Sequence, residues 1–236
     1  MGHGDRLARA AAEAAAQRAR LAADPVLRVR SAALKKWQAQ RLASTHADFL
    51  DEPRHRAAAR FFLDDLYGGS DYARRDAELA RVIPALTHML PNAALATLAD
   101  AVELDALTER LDEALTDELG ARLDQGIDEA QYARAYRRAC PRADREHQLD
   151  LVLAIGRSLD RLVRHPLVGG LLRAMGGPAR MAGFSAMHEF LMRGFDAFSE
   201  IGGASEFLAR IDGRERTILE RLYSGHTTDW TQVPPA

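Results

Sequence analysis

Apolar residues recur along this chain at intervals of three and four almost from end to end, the spacing that one buried face of an α-helix produces. Alternating runs rich in β-branched residues are missing, and Asp-Pro, Gly-Gly and Arg-His-Pro punctuate the periodic segments. The pattern predicts helices over 5–22, 26–43, 52–67, 71–81, 83–90, 93–119, 128–139, 142–164, 167–175, 178–199 and 204–223. The expected fold is all-α, a single-domain irregular helical bundle of about eight to eleven helices. Residues 24–224 form the all-helical domain, and residues 1–23 a peripheral helix rich in alanine and arginine. Residues 225–236 are expected to be a disordered tail, because "HTTDWTQVPPA" carries no apolar face to pack.

Three segments are informative. In 178–199 one stripe runs Met181, Phe184, His188, Leu191, Phe195 and Phe198, and a second runs Met187, Phe190 and Ala197 beside Gly183 and Gly194. Only Ser185, Glu189, Arg193 and Asp196 form a polar strip, so this segment is predicted to be the buried central helix. In 93–119 the apolar face moves: Leu95, Leu98 and Val102 share one side, whereas Leu104, Leu107, Leu111 and Leu115 lie opposite. A break near Glu103 is predicted; the alternative is one helix covered on different sides in its two halves. Residues 142–164 place Leu149, Val152, Leu153, Gly156, Leu159 and Val163 on a core face, with Glu146, Asp150, Arg157 and Arg161 on another.

Charge narrows the function classes. The net charge of −2 gives no general attraction to nucleic acid or to a membrane. No apolar run approaches the length of a membrane span, and the N-terminus lacks the apolar region of a secretory signal, so a cytoplasmic location is expected. Cys140 is the single cysteine, which excludes an intrachain disulfide and a cysteine-based metal site. Residues 26–42 hold Arg28, Arg30, Lys35, Lys36 and Arg41 and no acid, while residues 100–118 hold eight acids against Arg110 alone. These are solvated faces, or they complement each other within or between subunits. Nucleic-acid binding by the basic segment is the weaker reading.

The stretch "FFLDDLYGGSDYARRD", residues 61–76, stands apart. It ends one helix, turns at Gly68-Gly69 and opens another. Two acids in a last helical turn oppose the helix dipole, so Asp65, on the inner side, is expected to take Arg74 or Arg75 while Phe62 and Leu66 pack. A ligand or partner corner would use Phe61, Phe62, Asp65, Leu66, Tyr67, Arg74 and Arg75. At "FFLDDLY" the chain resembles the bacterial FFLEELY motif proteins: Phe61, Phe62, Leu63, Leu66 and Tyr67 match, and Asp64 and Asp65 stand where that motif has glutamates. The resemblance implies an all-helical fold and a bacterial origin, and it implies no reaction.

Other chemistry is sparse. The single Glu-x-x-His, Glu52 to His55, includes a proline in a first turn and does not make the doubled motif of di-iron bundles. His188, on the core face of 178–199, is the possible cofactor ligand, read against an ordinary core histidine. Cys140, next to Arg137 and Arg138, reads as a helix-end residue, and no phosphate-binding or nucleophile-elbow fingerprint occurs. The expected function is a non-enzymatic interaction or scaffold protein with a protein partner or self-association, and no cofactor. The alternative is a haem- or metal-binding, oxidase-like helical protein centred on His188.

Overall fold

The longest helix organises the others. The computed structural model describes residues 2–66, 92–226 and 228–232, apart from the side chains of residues 64–66 and 94. The predicted helices 71–81 and 83–90 lie outside the described residues. The chain order is α1 His3–Ala23, α2 Pro25–Thr45, α3 Ala47–Asp51, α4 Pro53–Arg60, α5 Asn92–Leu119, α6 Glu129–Ala139, α7 Arg142–Val163, α8 Pro166–Ala174, α9 Gly176–Met181, α10 Ser185–Ile201 and α11 Ser205–Tyr223. A π-helix, Phe61–Leu66, continues α4, and a 3₁₀ turn, Gly120–Asp124, continues α5. Among the described residues there is no strand, and the protein is an all-α, single-domain bundle.

α5 runs unbroken through Glu103 for 28 residues, about 42 Å at 1.5 Å per residue. The predicted break is absent because each half has its own cover. Leu95, Ala99, Val102 and Ala106 pack against Leu7, Ala10 and Ala14 of α1. Leu107, Leu111, Leu115 and Leu119 face the main core, with Leu34 of α2, Tyr132 and Tyr136 of α6, and Ile218 and Leu222 of α11. The basic and acidic stretches meet within one chain at Lys35 and Glu109, and neighbouring pairs extend the contact to α1 and to the 3₁₀ turn. Arg6 bonds Asp100 at 2.9 Å, Arg18 bonds Asp105 at 2.6 Å, Lys35 bonds Glu109 at 2.7 Å, and Arg30 bonds Asp124 at 2.8 Å. Partly exposed pairs like these each contribute little, but together they fix how α1 and α2 lie on α5.

The predicted central helix 178–199 needs correction. Gly183, with φ +75, turns the chain, so α9 ends at Met181 and α10 starts after Phe184. Only the C-terminal half of α10 is buried, at Gly194, Ala197, Phe198 and Ile201, and Leu191 is exposed. Of these, Phe198 and Ile201 join Phe49, Ala58, Leu149, Leu153 and Phe207 in a second core. An apolar stripe marked the segment as central, yet part of that stripe faces outward.

The C-terminal segment also departs from expectation. Trp230 is wholly buried, stacked on Tyr132 at 5.6 Å and beside Trp37 at 6.2 Å. Asp229 takes the left-handed conformation, φ 59, which an aspartate tolerates better than most residues. Arg221 Nη1 donates to the carbonyls of Asp229 and Gln232 at 3.1 and 2.8 Å. Backbone anchoring and one indole hold this segment without any periodic face.

Candidate functional site

A cavity of about 160 Å³ lies between the main core and the second core. α2, α5, α6, α7 and α11 form most of its wall, and the π-helix adds Phe62 and Leu63. Each helix places its lining residues by helical spacing: Gln38, Arg41 and Leu42 on α2; Thr108 and Asp112 on α5; Arg145, Gln148, Leu149 and Val152 on α7. α11 contributes Phe207, Ile211, Glu215 and Ile218 on one face.

The wall is polar in an ordered way. Arg41 Nη1 donates to Glu215 Oε1 and Oε2 at 2.7 and 2.9 Å, and His46 Nε2 lies 2.9 Å from Oε1, the geometry of an Nε2–H donor. Burial alone would raise the Glu215 carboxyl, but the Arg41 charge and the His46 hydrogen bond overcome it and bring it down to about 2. Gln38 Nε2 donates to Asp112 Oδ1 at 3.0 Å. Burial pushes Asp112 up, against the opposing charges of Arg145 and Lys35. Burial likewise pushes the Tyr132 and Tyr136 hydroxyls up.

Arg145 is the unusual member. It is 6 % exposed, and its guanidinium lies 4.6 Å from the centre of the Tyr136 ring. Nη1 donates to Gln148 Oε1 at 2.9 Å, Nη2 reaches Cys140 Sγ at 3.3 Å, and the buried Nε has no acceptor. Its strongest acceptors are therefore an amide oxygen and a thiol, and it forms no salt bridge among the described residues. The Cys140 thiol is pushed up by burial even though Arg145 opposes the shift. Arg137 and Arg138, its neighbours in sequence, point elsewhere: Arg137 to the carbonyls of Leu222 and His226, Arg138 to Glu118.

The motif residues divide. Phe61 packs on α10, 5.3 Å from the Phe190 ring, with its ring edge against Gly194. Phe62 turns toward the cavity and meets Phe198 and Phe207 at 6.1 Å each. The side chains of Asp65 and Leu66, and Tyr67, Arg74 and Arg75, lie outside the described residues. His188 is half-buried, away from the cavity. Its Nε2–H donates to the Leu172 carbonyl at 2.8 Å, which leaves the lone pair on Nδ1. His55 bonds Glu52 Oε2 through Nδ1 at 2.6 Å. Among the described residues no three His, Cys, Asp or Glu side chains converge to hold a metal ion. Nor is any described helix long and apolar enough to cross a membrane.

A family model described as "Domain of unknown function (DUF8198)" matches residues 17–229, well over half of the chain. The chain belongs to the DUF8198 family. No curated protein and no solved structure matches it. The matched part of the DUF8198 domain contains every cavity-lining residue except Trp230, which follows it directly. It leaves out Leu7, Ala10 and Ala14, the α1 residues that cover the first half of α5. The cavity therefore belongs to the DUF8198 domain itself.

Arg145, Asp112, Gln38 and Glu215 were not singled out from sequence, although a signal was present. Arg145 stands four residues before Leu149, and Glu215 three before Ile218, so each charge sits on the core face of its helix.

Proposed function

We propose that this chain is a non-enzymatic binding protein whose helical frame holds a small molecule in the central cavity. The observation that carries the reading is the lining: apolar side chains with a few convergent polar groups, the composition of small-molecule sites. The volume is close to that of an engineered cavity known to take benzene. Wide helical turns such as Phe61–Leu66 recur at functional sites, and this one forms part of the wall. A set of one-ring probes, including indole, benzyl alcohol and benzoate, tests it. At ten times its Kd a bound probe is expected to raise the melting temperature by about 3–6 °C. Ile211→Trp, which fills the apolar end, should abolish the shift. A parent protein whose melting temperature no probe raises at millimolar concentration would overturn the reading.

A second reading, self-association, is supported by an outward apolar face. Leu167 and Leu171 on α8 are 75 % and 64 % exposed, Met181 on α9 is 85 % exposed, and Met175 and Leu191 lie exposed nearby. Exposed apolar groups of this kind mark protein-interaction surfaces. The parent is expected to show a concentration-dependent mass above that of the monomer by light scattering, and Leu171→Lys with Met181→Lys to return it to monomer. A parent that stays monomeric up to about 1 mM rules this reading out.

A further inference from the structure

We propose that the ligand of the central cavity is a small organic acid with an apolar body of about one ring, its carboxylate paired with Arg145. This rests on the cavity being a binding site, and it adds what the site selects. A guanidinium withdrawn from water is costly unless an anion compensates it. Arg145 has a ring face, an amide oxygen and a thiol sulfur around it, and its Nε is left over. A thiol is a weak acceptor and the buried Nε has none, so this guanidinium is poorly satisfied by the protein.

The other charges of the wall make no ion pair with Arg145 among the described residues; Asp112 acts on it only through its charge, without a hydrogen bond. Glu215 is committed to Arg41 and His46. Asp112 takes its hydrogen bond from Gln38, makes no salt bridge to Arg145 among the described residues, and is pushed toward its neutral form by burial. A ligand carboxylate would therefore meet a cation that folding has already removed from water, and the binding step bears only the ligand's own desolvation.

The same helix sets where the rest of the molecule lies. Leu149 and Val152 follow Arg145 by one and two turns on one face of α7, the farther about 10 Å along the axis. Phe62, Phe207 and Ile211 close that end. A polar head and an apolar body one ring across match the order of groups along the wall.

The test is a calorimetric titration of the full chain with benzoate and phenylacetate against their uncharged amides, benzamide and phenylacetamide. The acids are expected to bind at least about tenfold tighter than the amides, and Arg145→Met to remove the difference. If that variant does not fold, the acid-to-amide ratio in the parent decides the matter alone, with Ile211→Trp showing that the site is the cavity. Equal affinity for acids and amides overturns the assignment to acids and leaves small-molecule binding standing. Binding of neither overturns the assignment to acids, while small-molecule binding then stands or falls with the neutral probes indole and benzyl alcohol.

Discussion

Trp230→Ala is expected to destabilise the fold by about 3–5 kcal/mol, the cost of removing a large aromatic side chain from a packed core. The indole is wholly buried, and it closes the stack formed with Tyr132 and Trp37. Trp37 and Tyr132 themselves stack at 4.3 Å, so loss of Trp230 uncovers two further rings. Its Nε1–H donates to the Glu129 carbonyl at 3.4 Å, and Thr231 Oγ1 bonds the Glu129 carboxylate at 3.0 Å, so the segment also steadies the first turn of α6. Urea unfolding followed by circular dichroism measures the loss, and a chain ending at Ser224 should lose as much. A change below about 1 kcal/mol in either protein would show that the indole only rests on the surface.

The second large effect lies where α3 meets α11. Arg214, 2 % exposed, pairs with Asp48 through two bonds of 2.7 Å, and Arg210 bonds both Asp48 and Glu52. Both guanidiniums lie over the Phe49 ring, at 5.2 and 4.4 Å. Asp48→Ala leaves the Arg214 charge buried with no carboxylate, and a loss of about 3–5 kcal/mol is expected. Adding Arg214→Leu should recover a large part of it, because no charge then remains buried, while Arg210 keeps Glu52. A double variant as unstable as the single one would contradict this account.

Acid should act on the parent in the same direction. The hydrogen bonds from Arg214 hold Asp48 well below the ordinary carboxylate range, and Glu215 falls from 4.5 to about 2. A lowered carboxyl contributes stability that is complete above its unfolded value and is lost as pH falls through its folded one. For Glu215 that window runs from 4.5 down to about 2. Unfolding midpoints measured across it should fall steadily with pH in the parent and less steeply in Asp48→Ala.

The helical fold class was legible because burial on one face leaves a period of three and four that needs no tertiary information. α7 is an example: its predicted span, 142–164, and the observed Arg142–Val163 differ only at the end. What could not be read was which helix is central. Apolar density favoured 178–199, but whether an apolar stripe is covered depends on neighbours, and α5, with two weaker stripes, has cover on both. The cavity was hidden for a related reason. Arg145 and Glu215 look like ordinary surface charges until the faces of α7 and α11 are seen to meet. The π-helix leaves no trace in periodicity. Trp230 sits in a segment with no period at all, held by bonds to backbone carbonyls that the sequence does not announce.

The contact between Phe61 and Gly194 ties together two distant parts of the chain. A β-carbon at position 194 would lie 2.9 Å from the Phe61 ring, closer than carbon atoms settle. The first letter of the motif thus depends on the lack of a side chain on another helix. Across relatives the two positions should behave as one inherited unit, with any lineage that gains bulk at 194 surrendering the aromatic at 61.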